Sequence, residues 1–348
     1  MCDSISQNFF NDIKQLLLQA GIKKPFELIP ICRGGNNRTW MLKTGYDRYF
    51  LKQYFTSQYD KRDRFGNEIL FSMFAWEQGI RNIAKPLVAD RKKSLGLFDF
   101  IEGSQPRKKD INKDFLQCAV YFIENLNRNK TKIKSQSLPQ ASESCLCLAD
   151  HIDNVKKRVT QLKNINTDHG DNIDRDAKRF IMNVLEPEWQ KINSEIEKKI
   201  AIQNIDSLKR INKDKRIISP SDFGFHNTIM TKNNGLFFVD FEYAGWDDPI
   251  KLICDFFCQP EIPVSLDYFE WFAKKIIDIP AVEPIEKDNF LYLALYLLPA
   301  YRLKWCCIML NAFIPADRDR KKFSSYNNDR RKIQLSKAVH YLTTSWRL

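Results

Sequence analysis

The chain has 348 residues, 43% of them hydrophobic and 13% aromatic, with a formal net charge of +12. That composition excludes wholesale disorder and fibrous architectures, and the length predicts about two compact units. Glycine (12) and proline (14) are sparse, so no long linker is expected, and no repeat of solenoid period occurs. A basic balance admits nucleic-acid, anionic-membrane or phosphorylated partners. The lysines and arginines are spread along the chain without a nucleic-acid-binding motif, so solvated lysines and no nucleic-acid partner are expected. The nine cysteines (2, 32, 118, 145, 147, 254, 258, 306 and 307) form no CxxC, and their spacings suit neither a zinc site nor a disulfide framework. Met1-Cys2-Asp3-Ser4 opens without a secretory signal, and no run approaches the ~18 apolar residues of a membrane span. A reduced, cytoplasmic protein without a transmembrane segment is expected.

Apolar residues at Phe9, Ile13, Leu16, Leu17 and Ala20 predict a first helix stopped by Gly21. Strands are predicted over 26–31, 40–43 and 49–54, the last two joined by the Thr44-Gly45-Tyr46-Asp47 turn. A second helix follows from Phe65 to Gln78, with Ile69, Met73 and Trp76 at helical spacing, and then a strand over 95–103. The first hundred residues thus read as a small sheet with one long helix inserted. Beyond Gly103 helices are predicted over 110–130, 144–165 and 174–205. Short strands follow at 216–218, 227–230 and 236–239, the last two joined across Asn234-Gly235, a strong hairpin signal. Residues 249–348 read as helical, and a boundary falls at about residue 102.

The chemistry concentrates in Ser219-Pro220-Ser221-Asp222-Phe223-Gly224-Phe225-His226-Asn227, the hairpin, and Asp240-Phe241-Glu242-Tyr243-Ala244-Gly245. Phosphoryl transfer requires a carboxylate facing the acceptor hydroxyl, with an amide oxygen and a second carboxylate to hold Mg²⁺ against the nucleotide phosphates. Asp222, Asn227 and Asp240 occur in that order, separated by a loop and a hairpin. Asp222-Phe223-Gly224 also spells the metal-binding motif of protein kinases, but no D-x4-N lies upstream at the required distance. Asp222 is therefore expected to be the base and Asp240 the metal ligand. His169-Gly170-Asp171 has Asp176 where an asparagine is needed and no following hairpin, so a solvated loop is expected there.

These segments resemble the aminoglycoside phosphotransferase and choline kinase-like superfamily, small-molecule relatives of the protein kinases. Asp240-Phe241-Glu242-Tyr243-Ala244-Gly245 is similar to the metal motif of choline and ethanolamine kinases, and Asp248-Pro249 with Asp255 to the stretch that opens the next helix. Pro220-Ser221-Asp222 departs from the usual His-Gly-Asp or His-Asn-Asp, which puts the loop geometry in question. His226 is expected to be a hydrogen-bonded loop residue.

The resemblance implies an α+β, bilobal protein-kinase-like fold. Residues 1–101 would form an N-terminal nucleotide-binding lobe, a small β-sheet with one long helix. Residues 102–348 would form a larger, mostly helical lobe with the catalytic loop (216–245) and the substrate site. It implies ATP and Mg²⁺ as cofactors, Asp222 as catalytic base, and Asn227 and Asp240 as metal ligands. Nucleotide contacts are expected from Gly34, Gly35 and Asn36 of a phosphate-covering loop. Lys52 is expected to be held by Glu68, with Glu77 as the alternative, and Phe100 and Glu102 to lie in the hinge beside adenine. Glu242, Tyr243, Trp246 and Asp247 are expected near a small hydroxyl-bearing acceptor, an amino-alcohol, amino-sugar or sugar. The local acidity of residues 236–260 slightly favours a cationic or neutral acceptor. An inactive nucleotide-binding regulatory module, a protein kinase, and a basic nucleic-acid or membrane-surface protein are the competing readings.

Overall fold

The computed structural model describes residues 6–31, 36–57, 62–165, 171–280, 284–314, 323 and 330–344. Gly34 and Gly35 of the glycine loop, and His169 and Gly170, lie outside these residues. Helix α1 (Gln7–Gln19) starts at Ser6, whose side chain accepts from the Phe9 N–H, and buries Ile13, Leu16 and Leu17. It covers an antiparallel sheet of β1 (Glu27–Pro30), β2 (Arg38–Thr44), β3 (Asp47–Gln53), β4 (Pro86–Asp90) and β5 (Leu95–Asp99), ordered β1-β2-β3-β5-β4. Strand β4 escapes the sequence pattern. The β2–β3 hairpin closes on Gly45-Tyr46, with Gly45 at φ 60°, the left-handed residue that such a two-residue turn demands. Helix α2 (Arg64–Glu77) is inserted between β3 and β4 and capped by Asp63, which accepts from the Gly66 N–H.

Two apolar cores result. The smaller joins α1 to the sheet through Ile13, Leu16, Trp40, Leu42, Leu51 and Leu97. The larger takes Phe71, Phe74 and Ala75 of α2 into the helical region and runs through most of the remaining chain. Helix α2 therefore faces both ways: its apolar residues join the helical core, and Glu68 meets the sheet.

The strand predicted to reach Gly103 stops at Asp99. Among the described residues, Phe100 to Gly103 make no backbone hydrogen bonds. The chain is pinned again at Ser104, which exchanges two bonds with Met230, 3.0 and 2.8 Å. Beyond it come α3 (Lys113–Asn127), the single turn α4 (Ile133–Gln136) and α5 (Leu148–Lys163). The helix predicted over 174–205 is broken into α6 (Asn172–Phe180), a π-helical turn at Ile181–Leu185 and α7 (Glu186–Ile202). Pro187 sits in the first turn of α7 and has no N–H to donate to the preceding turn, which accounts for the break. Asp171 caps α6 and pairs with Arg331 at 2.7 Å, so it serves a helix start and not a free loop.

Strands β6 (Ile217–Ser219) and β9 (Gly245–Asp247) pair antiparallel, as do β7 (Thr228–Met230) and β8 (Leu236–Phe238). The β7–β8 connection carries Asn234 in the left-handed region, at φ 58°. Helices α8 (Pro249–Cys258), α9 (Phe269–Ile277), α10 (Pro284–Met309) and α11 (Arg331–Thr343) complete the lobe. One stretch, Lys287–Phe313, is long and apolar enough by length and composition to cross a membrane, but 67% of its apolar window is buried within the protein. It packs against α8, α5 and α11 as a core helix. The seven described cysteines are all free, and all except Cys118 are buried.

The close approach at Gly103 is a tight constraint. A Cβ built there would lie 2.4 Å from the Met230 carbonyl oxygen and 2.7 Å from Ile229 Cγ2. Gly103→Ala is expected to lower stability by about 1–3 kcal/mol, the usual cost of overpacking. Melting of the variant is the check, and an unchanged melting temperature would contradict the packing.

Candidate active site

Lys52 lies on β3 with its side chain pointing under the sheet, and the residue is only 4% exposed. Its ammonium bonds Glu68 Oε2 at 2.7 Å, Asp240 Oδ1 at 2.8 Å and Glu242 Oε1 at 2.8 Å. Glu68 also receives the Phe241 N–H at 3.4 Å, so α2 is fastened to both the lysine and the Asp240 segment. Glu77, the alternative partner, is instead half-exposed and bonds Lys134 at 2.7 Å. Burial opposes the charge on Lys52, but Asp240, Glu242 and Glu68 together hold its pKa well above the ordinary value. For the carboxylates burial outweighs the pairing. Burial pushes Glu242 up to about 7 against the pull of Lys52, and raises Glu68 as well. Asn37 Nδ2 donates to Glu242 Oε1, while Glu242 Oε2 is buried without a partner among the described residues.

The catalytic-loop residues come together as follows. Asn227 Nδ2 donates to the Asp222 backbone carbonyl at 2.9 Å, leaving its amide oxygen available to a cation. The Val239 N–H donates to the Asn227 carbonyl at 3.0 Å, which continues the β7–β8 pairing and sets Asp240 beside Asn227. Asp240 and Ser221 both adopt left-handed backbone conformations, φ 69° and 67°. Such conformations cost about 1–3 kcal/mol each and persist where surroundings over-determine them. The surroundings of Ser221 are explicit: its N–H donates to Ser219 Oγ at 3.0 Å, and its Oγ accepts from the buried Lys251 at 2.9 Å. Asp222 Oδ1 is bonded to His226 Nε2 at 3.0 Å. Burial works against the Asp222 charge, and His226 overcomes it, holding the carboxyl below its ordinary value.

Asp222, Asn227, Asp240 and Lys52 line one cleft of about 1800 Å³. Ile31, Phe50, Ala84, Phe98, Ile101 and Ile229 make an apolar wall beside the unbonded backbone of 100–103. Phe100 lines the cleft; Glu102 does not, and it pairs with Arg48 at 3.4 Å on the surface. Asn36 reaches the Tyr243 hydroxyl at 3.5 Å.

Of the four residues expected around the acceptor, Tyr243 lines the cleft and the other three do not. Glu242 serves Lys52. Tyr243 lies under Asn36, with the Arg62 and Arg64 guanidinium groups 5.5 and 5.6 Å from its ring centre. Trp246 turns away and donates to the Ser135 carbonyl at 3.0 Å. Asp247 is fully buried, accepts from Lys251 at 2.8 Å and takes the N–H groups of Cys145 and Asp248. Asp248 caps α8, and Asp255 is neutralised by Lys304 at 2.9 Å. Of the acids in residues 236–260, Glu242, Asp247, Asp248 and Asp255 are thus buried and paired inside the fold, while Asp240 reaches the cleft.

Sequence reasoning missed Glu242 as a Lys52 partner, Lys251 as the anchor of the catalytic loop, and His226 as the partner of Asp222. For Lys251 a signal was present, since Asp247, Lys251 and Asp255 are spaced by four at the start of a helix.

The donor set fits a hard divalent cation. Asn227 and Asp240 offer oxygen ligands, and the three carboxylates of Glu68, Asp240 and Glu242 approach within 4.8 Å of one another around a single ammonium. Three carboxylates around one ammonium leave room for a further cation.

No family model matches the sequence, and no curated protein matches it. Solved structures do match over nearly the whole chain. A choline kinase, LicA from Streptococcus pneumoniae, aligns at 15% identity with a TM-score of 0.57, covering 97% of this chain and 99% of that one. An ethanolamine kinase from Plasmodium vivax aligns at 15% identity with a TM-score of 0.57, over 97% and 88%. The spectinomycin phosphotransferase APH(9)-Ia, solved with ADP and spectinomycin, aligns at 13% identity with a TM-score of 0.54, over 95% and 98%. The chain has the bilobal, protein-kinase-like fold shared by choline kinases and aminoglycoside phosphotransferases.

Removing the ammonium would leave three carboxylates facing one another. Lys52→Met is expected to lower stability by about 3 kcal/mol, the lower end for breaking a buried ion cluster because Asp240 reaches solvent. Adding Glu242→Gln should restore part of that loss. Chemical denaturation measures both, and a Lys52→Met variant as stable as the parent would contradict the cluster.

Proposed function

We propose that the chain is an ATP-dependent small-molecule kinase, transferring the γ-phosphate to a hydroxyl of a small metabolite. The observation that carries this reading is the meeting of Lys52, Glu68 and Asp240 in the cleft that also holds Asp222 and Asn227. The sheet side, residues 1–101, would bind the nucleotide. The unbonded hinge backbone would pair with the adenine edge, and Lys52 would hold the phosphates as a positioned point charge. Asn227 and Asp240 would hold Mg²⁺, which when bound neutralises phosphate charge. On the helical side, residues 102–348, the Asp222 carboxylate would take the proton of the acceptor hydroxyl.

The acceptor side of the cleft is lined by charge pairs: Arg158 with Glu143 at 2.5 Å, Lys304 with Asp255, and Lys337 with Glu261 at 3.1 Å, with Trp305 among them. Burial opposes the Glu143 charge, but Arg158 and Lys304 hold its carboxyl down at about 2. A wall of matched donors and acceptors favours a neutral, polyhydroxylated acceptor such as a sugar over a cation. Retention of every charged group in the constellation argues against an inactive nucleotide-binding module. After Asp240 the chain enters β9 and α8 almost at once, with no room for the activation segment of a protein kinase. Free cysteines and ATP as donor suit the cytoplasm.

Two variants test the assignment. Asp222→Asn is expected to lose at least ~10²-fold in kcat while keeping the thermal shift given by Mg²⁺ and ATP. Asp240→Ala should lose that Mg²⁺-dependent shift. Undiminished turnover in the first variant, or an undiminished shift in the second, would overturn the roles. A panel of choline, ethanolamine, spectinomycin and neutral sugars tests the acceptor, and activity confined to choline would contradict the polyol assignment.

A further inference from the structure

We propose that His226 is a positioning residue for Asp222, fixing the carboxylate so that its second oxygen faces the acceptor hydroxyl. The inference rests on Asp222 being the base. Pro220 stands where the resemblance leads one to expect a supporting histidine, and a proline side chain can make no hydrogen bond. His226 comes from the other side of the loop, four residues after Asp222, and its Nε2 lies 3.0 Å from Asp222 Oδ1. The carboxylate is ionised, so the imidazole nitrogen donates. Among the described residues Nδ1 is buried with no partner, and the ring's one hydrogen bond there is the one to Asp222. The ring is held edge-on to Trp305, 6.0 Å between centres, and Trp305 is fixed by its own 3.0 Å bond to Asp255. The backbone of His226 is clamped by Gln105, whose amide donates to its carbonyl at 2.6 Å.

The loop also makes space for this ring. A Cβ placed on Gly224 would lie 2.7 Å from His226 Nδ1 and 2.9 Å from its Cε1, with Gln259 Cγ 3.1 Å away on another side. The ring folds into the volume that a glycine leaves open. An ordinary loop histidine would need neither the gap nor the unshared bond. The device also accounts for Asp222-Phe223-Gly224-Phe225-His226 as a unit. Phe223 and Phe225 are buried in the core and turn the loop outward, Gly224 opens the space, and His226 returns to the carboxylate.

The test is the turnover of Mg²⁺–ATP with water as acceptor, measured for Asp222→Asn, His226→Ala, His226→Gln and Gly224→Ala. His226→Ala should lower kcat about 10–10²-fold with KM for ATP unchanged, as expected when a reacting group is displaced by about 1 Å. His226→Gln, whose amide nitrogen can replace Nε2, should recover most of the rate. Gly224→Ala, which touches neither nucleotide nor Asp222, should lose kcat as His226→Ala does. If Asp222→Asn turns over normally, the base assignment itself fails. If Asp222→Asn is slow and His226→Ala is not, or if Gln rescues nothing, only the positioning role fails. A readout independent of activity and of variant folding is the ¹H–¹⁵N spectrum of the histidine side chains in the parent protein. A hydrogen-bonded Nε2–H resonance that moves in Asp222→Asn is expected; its absence would overturn the proposal.

Discussion

One ammonium group, Lys52 Nζ, lies within 2.7–2.8 Å of three carboxylates from two separate stretches of chain. Burying charge is costly unless partners are close and well placed, so this cluster dictates where β3, α2 and the 240–242 segment stand relative to one another. It is also unbalanced. Three carboxylates share one lysine, Glu242 is pushed up to about 7, and one of its oxygens has no partner among the described residues. A protein gains little stability from such an arrangement by itself. A cation and phosphates, as the proposed function requires, would redistribute the charge.

The second constraint is the support beneath the catalytic loop. Lys251, wholly inside the protein, bonds Ser221 and Asp247 and approaches Asp255 at 3.6 Å. Asp255 is tied in turn to Lys304 and Trp305. Asp248 caps α8 and meets His151 at 3.2 Å. This buried lattice holds Ser221 in a left-handed conformation and presents Asp222 to the cleft. The loop geometry left in question by Pro220 is thus secured by α8 from below. The hinge is fixed to the same assembly, since Ser104 pairs with Met230 in the hairpin that sets Asn227 and Asp240 together.

Much of this was legible in the chain because local rules write it. Helical and strand periodicities located the sheet, α2 and the β7–β8 hairpin, and the order Lys52, Glu68, Asp222, Asn227, Asp240 marked the constellation. The acidity of residues 236–260 is less legible for a physical reason. Counting acids in residues 236–260 treats each as exposed, whereas Glu242, Asp247, Asp248 and Asp255 are all buried. Their partners lie on other elements or one helical turn away. The Glu242–Lys52 contact spans almost two hundred residues and leaves no local trace. The break between α6 and α7 was signalled by Pro187 and passed over, because the apolar spacing continues across it.

The central claim is that the Lys52 cluster is a nucleotide-phosphate and metal site. A crystal structure with Mn²⁺ and a non-hydrolysable ATP analogue, phased for the anomalous signal of the metal, tests it most directly. The account predicts Mn²⁺ between the side-chain oxygens of Asn227 and Asp240, adenine against residues 100–103, and the Lys52 ammonium on the phosphates. Mn²⁺ elsewhere in the cleft, or a nucleotide bound away from Lys52, would contradict it.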